Sequence, residues 1–178
     1  MIEQEFGDGR SLGMELSYSF DGPELLGTGG ALKKALPLLG QHFLVLYGDS
    51  YLPIDYTAPA RAFAASGKLG LMTLFRNEGR WDTSNVWFQD GAIKCYSKKE
   101  RTPEMQFIDY GLGILDPKAL APWPDSKAFD LADVYRDLVS RNELAGFEVE
   151  HRFYEIGSPE GLAELDAMLR SQQLSVTP

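Results

Sequence analysis

Two acidic residues and a pair of lysines are the side chains of this sequence best suited to phosphate chemistry. Asp49 follows Gly48 directly after an apolar run, and Glu155 closes a later strand-like segment. Carboxylates at strand ends can bind Mg²⁺, which takes one or two of them together with phosphate oxygens. A capping Asp49 and a solvent-exposed Glu155 are the simpler alternatives. Either Lys98 or Lys99 could neutralise a phosphate, although a solvated lysine pair is the default interpretation.

A glycine-rich stretch, LGTGGAL, lies ahead of a helical pattern. Glycines there let the backbone approach a flat or anionic ligand, although a tight loop that enters a helix explains them equally well. The stretch is not a Walker loop, since no Gly-Lys-Ser/Thr follows, and it does not match the Rossmann fingerprint. The sequence therefore predicts a loop before a helix, with a ligand role that depends on its surroundings.

Composition narrows the class of protein. The chain has 178 residues, 44% of them hydrophobic, and a formal net charge of −9. These values predict a single domain over residues 1–178 and argue against nucleic-acid binding. The lone Cys95 cannot form an intrachain disulfide, and His42 and His151 lack metal-ligand spacing. No apolar run has membrane-spanning length and the N-terminus is polar, so we expect a cytoplasmic protein without membrane partners.

Strand-like and helix-like patterns alternate along the first half of the chain. This alternation predicts an α/β fold with a doubly wound, mostly parallel, Rossmann-like sheet. An antiparallel hairpin insertion is expected around Asp90-Gly91, a favoured two-residue turn. Strands are predicted over residues 12–20, 43–47, 69–75, 107–115 and 147–156, and helices over residues 32–39, 59–65, 131–139 and from Ser158 onward.

The ordered combination of these motifs resembles the nucleotidylyltransferases that activate sugar 1-phosphates. Members of that family carry a loop like LGTGGAL, a strand that ends in Gly-Asp, and a lysine after a hairpin strand. A strand like IDYGLGIL and an ending like FYEIGSPEGL then follow in the same order. The resemblance runs from about residue 6 to the C-terminus. Within the family, the heptose 1-phosphate guanylyltransferase and mannose 1-phosphate guanylyltransferase branches are the most similar.

The resemblance implies a nucleotide-diphospho-sugar transferase fold and a reaction. A sugar 1-phosphate oxygen would attack the α-phosphorus of a nucleoside triphosphate, GTP among the candidates, and release pyrophosphate. The implied roles follow the family's motifs. They are Asp49 and Lys98 in catalysis; Gly27, Thr28, Gly29, Gly30 and Gly48 at the nucleotide; Lys98, Tyr110 and Gly111 at the sugar; and Asp49 and Glu155 at Mg²⁺.

Two departures from the family pattern affect these expectations. The second metal ligand of the family is usually aspartate, whereas this chain has Glu155. The family's glycine-rich, arginine-containing triphosphate loop is absent, which predicts an N-terminally truncated fold and a poor catalyst. A turnover of about 1–1,000 per second would contradict that expectation. Unpaired edges on the strands predicted at residues 12–20 and 43–47 would favour self-association, so a homo-oligomer is a possible state.

Two other functions remain open at this point. The chain could be a degenerate module that binds a nucleotide sugar or partners a complete subunit. A glycosyltransferase is a third interpretation, but such enzymes usually carry Asp-x-Asp, and here Asp49 is followed by Ser50-Tyr51.

Overall fold

The computed structural model describes residues 2–125 and 127–174, which form an α/β fold as the sequence predicts. Among these residues, no helix is both long and apolar enough to cross a bilayer. Short 3₁₀ turns lie at Arg10–Leu12, Leu36–Leu38 and Pro117–Leu120. The helices are α1 (Ile2–Phe6), α2 (Gly27–Ala35), α3 (Thr57–Ser66), α4 (Leu131–Ser140) and α5 (Pro159–Leu174). The strands are β1 (Phe43–Leu46), β2 (Ser50–Tyr51), β3 (Gly70–Arg76), β4 (Val86–Gln89), β5 (Ala92–Tyr96), β6 (Phe107–Leu115), β7 (Leu144–Val149) and β8 (Tyr154–Glu155).

The main sheet has six strands in the order β1-β6-β3-β7-β5-β4. Among the described strands, β3 and β7 make its one parallel pairing. The prediction of a mostly parallel sheet is therefore wrong. The reason is that β6 runs antiparallel between β1 and β3 and separates two strands that would otherwise be parallel neighbours. The predicted hairpin is confirmed as β4 and β5 around Asp90 and Gly91.

Strand β1 lies at the edge of this sheet and is buried on one face alone. Phe43 and Val45 point into the core, whereas Leu44 and Leu46 are each 47% exposed. A continuous apolar run is typical of a strand buried on both faces, but one face of β1 is exposed. An edge strand has a neighbour on one side, so continuous apolar sequence does not by itself establish burial on both faces.

The strand predicted over residues 12–20 is absent from the described structure. Residues 15–20 have no regular secondary structure, and Leu12, Met14 and Phe20 are all more than half exposed. The alternation of apolar residues in this segment indicates a strand, but no neighbouring strand pairs with it. The predicted strand over residues 147–156 is likewise divided, since β7 ends at Val149 and β8 begins at Tyr154.

Strand β6 is the centre of the core, because both of its faces are covered. On one face Phe107 and Leu115 pack with Tyr135 and Leu138 of α4. The other face carries Ile108, Tyr110, Leu112 and Ile114, which pack against the segment after β2 and against α3. A bulge interrupts the pairing with β3 between its Met72 and Leu74. Bulges of this kind re-aim side chains and are frequent beside functional sites.

Helix α5 is attached where the short β2–β8 ladder ends. Its first turn is capped by Ser158, whose Oγ accepts a bond from the Gly161 N–H at 3.1 Å. Arg152 forms a two-pronged ion pair with Glu164, with both N–O distances at 2.8 Å. The sequence prediction of a helix that starts after a serine cap is confirmed, and these contacts bring the helix to the Glu155 end of β8.

Candidate active site

A cavity of about 780 Å³ opens between α2, the end of β1 and the loop after β5. Its polar lining includes Thr28, Gly48, Asp49 and Lys98, which come from three separate segments of the chain. The structure therefore brings four of the predicted site residues to one surface. Lys99 is not part of this lining, so Lys98 is the lysine of the predicted pair that faces the cavity.

The glycines of LGTGGAL form the first turn of α2 rather than the loop that the sequence predicts. Gly27 begins the helix with φ of +68°, a conformation that glycine adopts readily. The N–H groups of Gly29 and Gly30 both donate to the carbonyl of Phe129, at 3.0 and 3.3 Å. N–H groups at the start of a helix lack a preceding turn to supply acceptors, and here the Phe129 carbonyl accepts from both of these groups. They are therefore already bonded within the protein.

The α-carbons of these glycines are covered by the segment that precedes α4. A Cβ atom on Gly29 would lie 2.4 Å from the ring of Phe129, and one on Gly30 would lie 2.6 Å from the carbonyl oxygen of Lys127. Both residues are buried. Because these glycines have no side chain, α2 and the segment ahead of α4 can pack closely together. The nucleotide contacts predicted for Gly27, Gly29 and Gly30 stay a prediction.

Asp49 and Glu155 lie beside one another at the β2–β8 ladder. Ser50 pairs with Glu155 across that ladder, and the N–H of Ile156 donates to the Asp49 carbonyl at 2.7 Å. A methyl group on Gly157 would contact both the Glu155 carboxylate and the Asp49 Cβ. The two acidic residues, separated by more than a hundred positions in sequence, thus lie close together at this ladder. Asp49 lines the cavity, whereas Glu155 is not part of its lining.

This pair suits Mg²⁺ in the chemistry of its donors, because carboxylate oxygens are hard ligands and two of them with phosphate oxygens meet the usual requirement. Within the described ranges, no group of three or more His, Cys, Asp or Glu residues could hold a metal by itself. A metal here would need oxygens from a ligand. The Glu155 carboxylate also accepts bonds from the Gly157 N–H and the Ser158 hydroxyl.

The two β6 residues among the three predicted at the sugar, Tyr110 and Gly111, occupy different environments. Tyr110 is 1% exposed, packs against Phe75 and Phe153, and lies on the face of β6 away from the cavity. The side chain of Tyr110 therefore packs in the core, and its predicted contact with the sugar stays a prediction. Gly111 has φ of +91°, and a Cβ atom there would lie 3.3 Å from the ring of Tyr47, which lines the cavity.

A partly buried carboxylate, that of Asp109, lies next to the cavity and is bonded to Tyr47 of its lining. Asp109 accepts hydrogen bonds from the Tyr47 hydroxyl at 3.2 Å, the Tyr96 hydroxyl at 3.4 Å and the Gly111 N–H at 3.1 Å. Burial raises the pKa of Asp109 above its usual value, and these bonds together with Lys98 oppose the shift without cancelling it. The ionised form of Asp109 is therefore less favourable in the folded protein than in the unfolded chain.

Replacing Asp109 with asparagine should raise the stability of the protein at neutral pH. A carboxyl group with a raised pKa in the folded state stabilises that state below its unfolded pKa, and this contribution is lost as the pH rises through the folded pKa. Urea unfolding should therefore give Asp109→Asn a higher midpoint than wild type at pH 7, and the difference should shrink as the pH falls through the raised folded-state pKa toward the usual aspartate value. Asp166→Asn, on the surface of α5, is the control. A lower midpoint for Asp109→Asn at pH 7 would contradict the assignment.

Two residues of this site did not stand out in the sequence. Asp109 lies inside the IDYGLGIL motif, but a single acidic residue in an apolar strand carries no signal for its partners. Asp130 caps α4, where its side chain accepts a bond from the Ala132 N–H at 2.9 Å. An aspartate immediately before an amphipathic helix is a recognised start signal, so this residue could have been found.

No family model matches the chain. It is 27% identical over 179 residues to the N-acetylmuramate alpha-1-phosphate uridylyltransferase of Neisseria meningitidis serogroup B, covering 94% of this chain and 72% of that protein. It is 26% identical over 161 residues to the D-glycero-alpha-D-manno-heptose 1-phosphate guanylyltransferase of Campylobacter jejuni, covering 90% of this chain and 70% of the relative.

The solved structures agree on the fold. A putative glucose-1-phosphate thymidylyltransferase from Bacillus anthracis, in complex with sucrose, superimposes with a TM-score of 0.80. The match covers 95% of this chain and 71% of that one at 17% sequence identity. At that identity the likeness establishes the fold alone, and it agrees with the fold that the sequence motifs imply.

Proposed function

Because the chain is a relative of the sugar 1-phosphate nucleotidylyltransferases along almost its whole length, we propose that it transfers a nucleotidyl group from a nucleoside triphosphate to a sugar 1-phosphate. The observation that carries the proposal is the cavity itself. The cavity has a volume of about 780 Å³, and an acidic residue, Asp49, and a basic residue, Lys98, both line it. Both charge types are needed when a substrate phosphate and a metal share a site.

In the proposed reaction a phosphate oxygen of the sugar 1-phosphate forms a bond to the α-phosphorus. The bond from that phosphorus to the bridging oxygen of pyrophosphate breaks, and the electron pair leaves with pyrophosphate. Lys98 would neutralise the sugar phosphate, and its half-exposed side chain can reach a ligand in the cavity. Catalysis would then come from positioning and charge neutralisation, without a covalent intermediate on the protein.

Mg²⁺ is the proposed cofactor, and Asp49 and Glu155 are the residues that would hold it. The metal would neutralise charge on phosphate oxygens when bound. Glu155 stands where the family usually has aspartate. In this structure the Gly157 N–H and the Ser158 hydroxyl fix its carboxylate, so a metal bound there would share the carboxylate oxygens with these two donors.

The identity of the base, the sugar and the assembly belongs to this proposal as well. One relative is by name a uridylyltransferase and the other a guanylyltransferase, so UTP and GTP are the first candidates. N-acetylmuramate, heptose and mannose 1-phosphates are the sugar phosphates to test.

A cytoplasmic location fits a reaction that consumes nucleoside triphosphates. The open edge of β1 is a surface through which two copies of the chain could associate.

A pyrophosphate-release assay tests the proposed function. Each of GTP, UTP, CTP and dTTP is combined with each sugar 1-phosphate in the presence of Mg²⁺. We expect pyrophosphate from one preferred pair and none when either substrate is omitted. Absence of release from every pair, with the protein shown to be folded by its unfolding transition, would contradict the proposal.

A nucleotide-sugar-binding module or partner subunit is the second candidate function. Calorimetric titration with nucleotide sugars separates the two functions. Binding without pyrophosphate release would support the module, whereas release would support the enzyme.

A further inference from the structure

We propose that Asp130 is a positioning residue that holds the ammonium group of Lys98 over the cavity. The inference rests on the proposed function, in which Lys98 contacts the sugar phosphate. The Nζ atom of Lys98 lies 3.6 Å from Oδ1 of Asp130. The lysine belongs to the loop after β5 and has a long, flexible stem, whereas the aspartate is the first residue ahead of α4. The side chain of Lys98 is therefore flexible, whereas Asp130 is fixed by its position at the start of α4.

Asp130 is held rigidly enough to act as such an anchor. Its Oδ1 atom accepts the Ala132 N–H at 2.9 Å and the Thr28 hydroxyl at 3.1 Å. Thr28 in turn accepts the Leu131 N–H at 2.9 Å, so helices α2 and α4 both fix the carboxylate. Burial by itself would raise the pKa of Asp130, but the Ala132 N–H, Lys98 and Thr28 outweigh it and leave the pKa below its usual value. The carboxylate is therefore charged at neutral pH.

The Lys98–Asp130 ion pair contributes to ligand binding rather than to the stability of the fold. The side chains of Lys98 and Asp130 are 47% and 51% exposed, and ion pairs so open to solvent contribute little to folding. A lysine with a preset position, however, loses less conformational freedom when it binds a phosphate. The capping role of Asp130 can be separated from its charge, since asparagine caps a helix about as well as aspartate does.

The experiment uses Asp130→Asn, which keeps the helix cap and removes the charge. We expect the KM for the sugar 1-phosphate to rise by about tenfold, with kcat changed by less than about twofold and the melting temperature unchanged. Asp133→Asn, on the same first turn of α4, is the matched control and should leave KM unchanged. A merely structural role for Asp130 would lower the melting temperature instead.

A second measurement tests the pair without any turnover. Lysine acetylation by an N-hydroxysuccinimide ester is followed by mass spectrometry, with Lys94 as the internal reference. Freed from its ion pair, Lys98 should react roughly threefold faster in Asp130→Asn than in wild type. Equal rates for the two proteins would overturn the inference, as would the same KM shift in Asp133→Asn. If wild type releases no pyrophosphate from any substrate pair, the proposed function fails while the labelling still decides the role of Asp130.

Discussion

Replacing Asp49 with alanine should lower the rate of pyrophosphate release by about 10²–10³-fold at saturating substrates. The residue follows β1, lines the cavity and lies beside Glu155, so its carboxylate is the negative charge best placed to hold Mg²⁺ near a phosphate. Its side chain is exposed and its partner within the protein is the neighbouring Ser50 hydroxyl, at 3.3 Å. The loss of activity should therefore come without a loss of stability.

The measurement compares initial rates over a range of Mg²⁺ concentrations with the unfolding transition of the same samples. Asp90→Asn is the control, because Asp90 lies at the hairpin tip with φ of +52°, where asparagine is well tolerated. Electron paramagnetic resonance with Mn²⁺ reports metal binding independently of turnover. A wild-type rate in Asp49→Ala at every Mg²⁺ concentration would remove Asp49 from the proposed site.

Glu155→Gln should behave differently from Asp49→Ala, and the contrast distinguishes the two ligands. Glu155 fixes the turn into α5 through Gly157 and Ser158, and it lies beside Asp49 at the β2–β8 ladder. Its replacement should lower both Mn²⁺ affinity and thermal stability, whereas Asp49→Ala should lower the first alone.

Replacing Gly29 with alanine should lower the free energy of unfolding by about 1–3 kcal/mol. A methyl group at this position would lie 2.4 Å from two ring atoms of Phe129. That ring cannot move freely, because it stacks on Trp123 with ring centres 4.8 Å apart. The strain should therefore be released by moving α2 away from the segment ahead of α4.

A double-mutant cycle tests whether Phe129 is the cause. Combining Gly29→Ala with Phe129→Ala removes the clash, so we expect a coupling energy of about 1 kcal/mol or more, measured by urea unfolding. Gly40→Ala is the control, since its nearest neighbour would be an ordinary contact at 3.6 Å. If Gly29→Ala kept full stability and lost nucleotide affinity instead, the glycine would contact the ligand directly and the packing explanation would be wrong.

The fold class could be predicted from the sequence because each main element carries a local pattern. The hairpin around Asp90, the amphipathic face of α4 and the Ser158 cap depend on neighbouring residues alone, and all three are confirmed. The sheet's strand directions could not be predicted in the same way. Whether β6 lies between β1 and β3 is a matter of pairing at long range, and no local signal specifies it.

The same distinction applies to the site. Asp49 and Lys98 were recognisable from motifs, and the structure brings both to one cavity. The contacts of the LGTGGAL glycines could not be predicted from the motif, because whether a glycine faces a ligand or a protein segment depends on what packs against it. Here Phe129, about a hundred positions later in the chain, covers Gly29. The Asp109 cluster was hidden for a similar reason, since its partners Tyr47 and Tyr96 come from different strands and loops.

The bond between Thr28 and Asp130 joins residues 102 positions apart, and this separation has a consequence for the order of folding. Closing so long a loop carries an entropic cost that must be met before its contacts can stabilise anything. The first turn of α2 also needs the Phe129 carbonyl as its acceptor. On the ribosome, helix α2 can therefore reach this arrangement only after the segment ahead of α4 has been synthesised.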